Sequence, residues 1–283
     1  MIYVSTGGFK DQPAWKTSED FLDNGIKNIE LSGGLYDKDM LTKLKKLKSK
    51  IKFQIHNYFP PPENPFVFNL GSLDKEILLL SMKHAQKAIR WAAELERPIY
   101  SFHSGFLLDI TVKELGKKVK KRKLNNHNDV ILNFVENVNK LSNYAKTQGV
   151  SLLIENNVIS KNNLKEFGLN PLLMTNVDDC TYVMRHTPEN VNLLIDVAHL
   201  KVSSNTEKFD KFNFLKKCDI WIKGFHLSEN DGTKDSNEII ENNSWFWPFL
   251  KNNLDYYSIE VYNTDYKTLY QQQLKVLKKI NEK

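Results

Sequence analysis

The chain has 283 residues, 41% of them hydrophobic and 26% charged. That is near the ~250 residues of a one-domain α/β barrel and too apolar for a disordered chain. No run approaches the ~18 apolar residues of a membrane span, and residues 1–5 already read as a strand, so neither a membrane segment nor a leader is expected. Cys180 and Cys218 are the two cysteines and have no C-x-x-C spacing, which argues against a disulfide scaffold and for reduced thiols in the cytoplasm. The formal charge of +6 comes from lysines spread over the predicted helices, with one dense block at Lys117, Lys118, Lys120, Lys121, Arg122 and Lys123. The block reads as a solvated face, with a phosphate or nucleic-acid contact as the alternative.

Short β-type runs alternate with helix-length amphipathic segments along the whole chain, the pattern of βα units on a parallel sheet. Strands are expected at 2–5, 28–31, 52–56, 99–103, 151–155, 192–196, 221–226 and 258–261. Eight strands predict a (β/α)8 TIM barrel spanning 1–283 as a single domain. Helices are expected at 18–24, 37–48, 74–95, 129–148, 178–185 and 265–280. The third is the clearest: Ile77, Leu80, Ala85, Ala88, Ile89 and Ala92 recur at three- and four-residue steps. Asp178 and Asp265 stand where N-caps belong, and Gly25 and Gly149 where helix C-termini belong. Four long connections, at 60–65, 105–128, 156–177 and 229–243, each follow a strand, on the face that carries active sites in such barrels.

Polar residues gather at the predicted strand ends. These are Glu30, His56, His103, Glu155, Asp196 with His199 three residues on, His226 and Glu260. Singly, each reads as an ordinary hydrogen-bonded residue or helix cap. Together they do not, because carboxylates closing apolar strands such as Leu152-Leu153-Ile154-Glu155 are costly at a buried barrel mouth unless a cation neutralises them. Imidazole with carboxylate is the donor set of Zn, Mn, Co or Fe.

The segments Ser5-Thr6-Gly7-Gly8-Phe9, Ile29-Glu30-Leu31-Ser32-Gly33-Gly34, Leu153-Ile154-Glu155-Asn156-Asn157, Asp196-Val197-Ala198-His199 and Phe225-His226-Leu227-Ser228-Glu229-Asn230-Asp231-Gly232 resemble the xylose-isomerase-like barrel superfamily over nearly the whole chain. That superfamily includes sugar and sugar-phosphate isomerases and epimerases and the endonuclease IV repair enzymes. The resemblance implies a divalent metal (Zn, Mn or Co) held by Glu155, Asp196, His226 and Glu260. His56 and Ser101-Phe102-His103-Ser104-Gly105 resemble histidine motifs of the nuclease branch, which implies a second metal shared with Glu155, or substrate contacts. A third nuclease metal would use His199 and an Asp-x-His pair, but this chain reads Asp235-Ser236-Asn237 there.

The expected activity is therefore metal-dependent isomerisation or epimerisation of a sugar or sugar phosphate in carbohydrate metabolism. It would proceed through an enediolate, with Glu155 and Glu260 moving the proton. An endonuclease IV-like phosphodiesterase acting on abasic DNA is the alternative, although nucleic acid is not the expected partner. A sugar- or metal-binding barrel without turnover is a third reading. Phe9, Trp15, Trp245 and Trp247 are candidates to stack on a sugar, against ordinary packing as the plainer role. Lys223 points inward or outward according to register.

Overall fold

The computed structural model of the chain describes residues 1–114, 119–254 and 256–282; Lys117 and Lys118 of the basic block lie outside them. Eight parallel strands, β1 (Ile2–Ser5), β2 (Asn28–Leu31), β3 (Lys52–His56), β4 (Ile99–His103), β5 (Ser151–Glu155), β6 (Val191–Asp196), β7 (Ile222–Leu227) and β8 (Tyr256–Ile259), pair in chain order, and β8 pairs with β1. The sheet is a closed barrel, as expected. Between and around the strands run α1 (Ala14–Asp23), α2 (Met40–Leu47), α3 (Lys75–Glu94), α4 (His127–Thr147), α5 (Lys161–Phe167), α6 (Val177–Arg185), α7 (Val197–Glu207), α8 (Lys211–Cys218) and α9 (Tyr266–Asn281).

The strand period of two sorts the side chains. Leu152, Ile154, Leu193, Ile195, Phe225, Tyr257 and Ile259 face the helices and join the main core. Their alternates Tyr3, Leu153, Leu194 and Tyr256 form a separate apolar plug, which fills the barrel interior as side chains do in such barrels. The same parity, continued one step toward the strand ends, turns Glu155, Asp196 and His226 inward above that plug. The helices follow from local chemistry. Asp74 caps α3 by accepting from the backbone N–H groups of Glu76 and Ile77, a device worth about 1 kcal/mol. His84, Ala85, Ala88, Ile89 and Ala92 form its buried stripe.

Several boundaries differ from expectation. The last strand begins at Tyr256, two residues earlier than expected, and ends before Glu260. Trp221 lies in a 3-10 turn ahead of β7. The α6 cap is Asn176, not Asp178: the Asn176 side chain accepts from both Asp178 and Asp179 N–H groups. Helix α7 escaped the sequence because it is buried on nearly all sides, Val197, Leu200, Val202, Ser203 and Thr206 included, and so has no polar face to mark a period. Between β6 and β7 the register shifts: Leu193 opposes Ile222 while Leu194 opposes Gly224. Lys223 is the extra residue of this bulge, and its side chain is exposed.

Gly224 is where β7 passes the Tyr256 ring: a Cβ there would lie 2.8 Å from Tyr256 Cδ1 and 3.0 Å from Leu194 Cδ1. Gly224→Ala is expected to destabilise the fold by about 1–3 kcal/mol through overpacking, read as a lower urea midpoint with an unchanged m-value. An unaltered midpoint would contradict this close approach.

Candidate metal centre

Four neighbouring strands each deliver one group to the barrel mouth. Glu155 ends β5, Asp196 ends β6, His226 lies in β7, and Glu260 immediately follows β8. All four are buried, and one donor atom from each lies within 4.8 Å of the others. The bulge before Gly224 sets the register in which His226 stands opposite Asp196. Both Glu155 oxygens, Asp196 Oδ2 and His226 Nδ1 are buried and make no hydrogen bond. Buried polar atoms are nearly always hydrogen-bonded, so these unpartnered atoms on three of the four converging residues have the donor chemistry of a cation site, and three carboxylates with an imidazole suit a transition metal.

A second group adjoins the first through Glu155. His56, His103 and Glu155 also bring donor atoms within 4.8 Å of one another, with His56 Nε2 at 3.2 Å and His103 Nε2 at 3.6 Å from Glu155 Oε2. His199 Nε2 meets Asp235 Oδ2 at 3.2 Å, while its Nδ1 lies 2.9 Å from the Asn156 carbonyl oxygen, to which it donates. Neither His199 nor Asp235 belongs to a group of three convergent donors among the described residues. Asn237, which stands where the nuclease pattern has histidine, instead uses its backbone carbonyl to accept from Tyr262 N–H at 3.0 Å.

Sequence reasoning placed Glu30 at a strand end but gave it no role, and missed Tyr256 and Ser101. These three form a buried hydrogen-bond chain. Glu30 Oε2 accepts from His226 Nε2–H at 2.9 Å and from the Tyr256 hydroxyl. The Tyr256 oxygen lies 3.0 Å from Ser101 Oγ, which in turn lies 3.0 Å from His56 Nδ1. Because the one Tyr256 proton goes to Glu30, Ser101 donates to Tyr256 and accepts from His56 Nδ1–H. With the imidazoles neutral, as cation binding requires, the chain runs in one direction and leaves His226 Nδ1 and His56 Nε2 as the bare nitrogens, both facing Glu155. Glu30, His56 and His226 also converge as a third group, but the Glu30–His226 contact is already a satisfied hydrogen bond. A carboxylate behind an imidazole is the usual arrangement that orients a metal-binding histidine.

The aromatic candidates divide. Phe9 stacks on Tyr266 and meets Phe21 edge-on, inside the packing. Trp15 donates its indole N–H to Asp37 at 2.7 Å, and Trp247 donates to the Glu241 carbonyl. Trp245 is the one of the four that lines a cavity at the mouth.

Charge in the centre is tightly balanced. Burial pushes the Glu155 carboxyl up, but His103, His226 and His56 outweigh it and hold it well below the usual carboxylate range. Burial raises Asp196, and repulsion from Glu155, Asp235 and Glu260 adds to it beyond what His199 offsets. Burial lowers His226, yet Glu30, Glu260 and Glu155 lift it well above an ordinary imidazole. Both shifts favour proton uptake when no cation is present, and a cation bound at this cluster would displace such protons. Glu30→Gln is expected to weaken divalent-cation binding about 10- to 100-fold, measured by competition with a chromogenic chelator. Tyr256→Phe keeps the Glu30–His226 bond and should have the smaller effect. Equal affinity in wild type and Glu30→Gln would exclude the orienting role.

A family model described as a xylose isomerase-like TIM barrel matches residues 20–280. The solved structure of a D-tagatose 3-epimerase-like protein superposes with a TM-score of 0.74 at 16% identity, over 99% of this chain and 97% of that one. An L-ribulose 3-epimerase superposes with a TM-score of 0.70 at 15% identity, over 100% and 95%. A Thermus thermophilus protein, TTHB071, soaked with ZnCl2, does so with a TM-score of 0.64 at 19% identity, over 96% of each chain. No curated protein sequence matches the chain. At these identities the structural likeness speaks for the fold, while the family model spans most of the sequence. The chain belongs to the xylose isomerase-like TIM-barrel family.

Proposed function

We propose that the protein is a metal-dependent sugar isomerase or epimerase whose cation is held by Glu155, Asp196, His226 and Glu260. The observation that carries this reading is the convergence of those four donors with the Glu155, Asp196 and His226 atoms left without hydrogen bonds. Sugar epimerases among the structural neighbours support the same class. The cation would supply Lewis-acid polarisation of the substrate's carbonyl and hydroxyl oxygens.

The remaining work falls to the chain's own groups. Glu155 and Glu260 enter the mouth from β5 and from the end of β8. Each carboxylate has two oxygens, so holding a cation leaves an oxygen to take or return a proton. Deprotonation of the carbon beside the substrate carbonyl by one, and reprotonation by the other, inverts that carbon; relay by one carboxylate between adjacent carbons exchanges aldose and ketose. Glu260 is held on its other side, where Oε1 accepts from Ser5 Oγ at 3.3 Å. His56 and His103, facing the same space, hold a second cation or bind substrate hydroxyls.

A phosphodiesterase acting on abasic DNA is the second reading, favoured by the His56, His103 and Glu155 group. Against it stands Asn237, whose amide is a poor replacement for imidazole.

Two outcomes are expected. Protein purified without chelator should carry near-stoichiometric transition metal by elemental analysis, and Asp196→Ala or His226→Ala should lose it. Full occupancy in both variants sinks the ligand assignment. Incubation with ketoses, aldoses and their phosphates in D2O should place deuterium on the carbon beside the carbonyl. Glu260→Gln should slow this exchange by about 10²–10⁴-fold, with metal content measured in the same sample. Absence of exchange across the panel, together with metal-dependent cleavage of abasic DNA, would replace the isomerase reading by the second.

A further inference from the structure

Beside the metal centre, between the connection after β7 and the segment after β8, lies a cavity of about 730 Å³, within the ~300–1,000 Å³ of small-molecule sites. None of the four proposed metal ligands lines it. Two of its walls nevertheless lead back to residues of the barrel mouth. Ser236, in its wall, follows Asp235, whose carboxylate meets His199. Tyr262, another wall, comes two residues after Glu260, and its ring lies so close over Gly7 that a Cβ there would fall 2.3 Å from the phenol oxygen. The two walls are tied together by the Tyr262 N–H to Asn237 carbonyl bond.

The lining is polar without being an anion site. Lys201, one of two lysines there, is held by Glu229 at 2.9 Å. Lys211, the other, lies over the Trp245 ring, 5.1 Å from its centroid. Glu229, Glu238 and Glu241 also line the cavity, so carboxylates outnumber ammonium groups and a phosphate would be repelled. The side chains of Asn237, Asn243, Asn263 and Thr264 line it too, with no hydrogen bond to any described residue. Trp245 Nε1 is buried without a partner. Amides and a hydroxyl that both donate and accept match sugar hydroxyls, which do the same, and an indole gives an apolar face with one polar donor.

We infer that this cavity is a subsite for a neutral glycosyl unit, so that the sugar handled at the metal centre carries a second saccharide in place of a phosphate. The inference rests on the isomerase reading for the identity of the group at the centre, but the cavity's own chemistry defines the glycosyl unit.

The test uses the full chain with the metal it carries as purified. Calorimetric titrations compare D-fructose, D-fructose 6-phosphate, and the fructose disaccharides lactulose, maltulose and isomaltulose. At least one disaccharide should bind about ten-fold or more tighter than D-fructose. Trp245→Ala should abolish that advantage without altering D-fructose binding or metal content. Because Trp245 also packs against Phe212 and Phe246, Asn243→Ala, at an exposed side chain outside the fold's hydrogen bonds, is the second variant and should reduce the same advantage. Three results overturn the subsite: no disaccharide binds tighter than D-fructose, the advantage survives both variants, or the 6-phosphate binds tightest. The D2O exchange assay on the same sugars separates the two conclusions. A disaccharide advantage without exchange keeps the subsite and removes the isomerase; exchange on D-fructose without a disaccharide advantage does the reverse.

Discussion

Glu30, Glu155, Asp196 and Glu260 share the mouth of the barrel with His56, His199 and His226, and among the described residues no lysine or arginine is buried with them. Charge there must be balanced by groups that gain or lose protons, or by an ion. A fixed guanidinium would lock one geometry and leave no lone pairs free. Imidazoles instead share protons with the carboxylates, and those protons can leave when a better cation arrives. The unsatisfied oxygens of Glu155 and Asp196 are the structural trace of that arrangement; a buried carboxylate pair without a compensating positive partner is otherwise strongly unfavourable.

Placing these groups takes little beyond strand parity and one bulge. Leu153 and Leu194 plug the barrel below Glu155 and Asp196 in the same strands, two residues earlier, so the hydrophobic layer and the polar layer are set by the same alternation. The β7 bulge then adds one residue, turns Lys223 to solvent and leaves Gly224 against the Tyr256 ring, with His226 level with Asp196. Tyr256 thereby serves both layers: its ring packs with the plug, and its hydroxyl joins the Glu30 chain.

Much of this was legible in the sequence, for identifiable reasons. Strands such as Leu152-Leu153-Ile154-Glu155 announce themselves because an apolar run closing on a carboxylate is rare without a purpose, and their order gave the barrel. Glu155, Asp196, His226 and Glu260 stood among the strand-end residues, the resemblance to the barrel superfamily singled them out as the metal set, and the structure brings all four together. What escaped depends on contacts the chain hides. Glu30 was visible, but its partners His226 and Tyr256 lie 196 and 226 residues away. Tyr256 was read as preceding the last strand, so its hydroxyl had no place in the interior. Helix α7, buried all round, carries no amphipathic period. The Lys223 bulge has no local signature because the residues beside it pair normally on either side.

The long reach of the Glu30 chain bears on how the polypeptide acquires its interior. Glu30 is in place on β2 early in the chain, yet its hydrogen-bond donors arrive only with β7 and β8. Any partly assembled sheet that sequesters β2 before those strands dock would bury a carboxylate without donors, at a cost of several kcal/mol. The chain is thus disfavoured from consolidating its first half alone, and late ring closure, with its high sequence separation, becomes the step that makes the interior chemically complete.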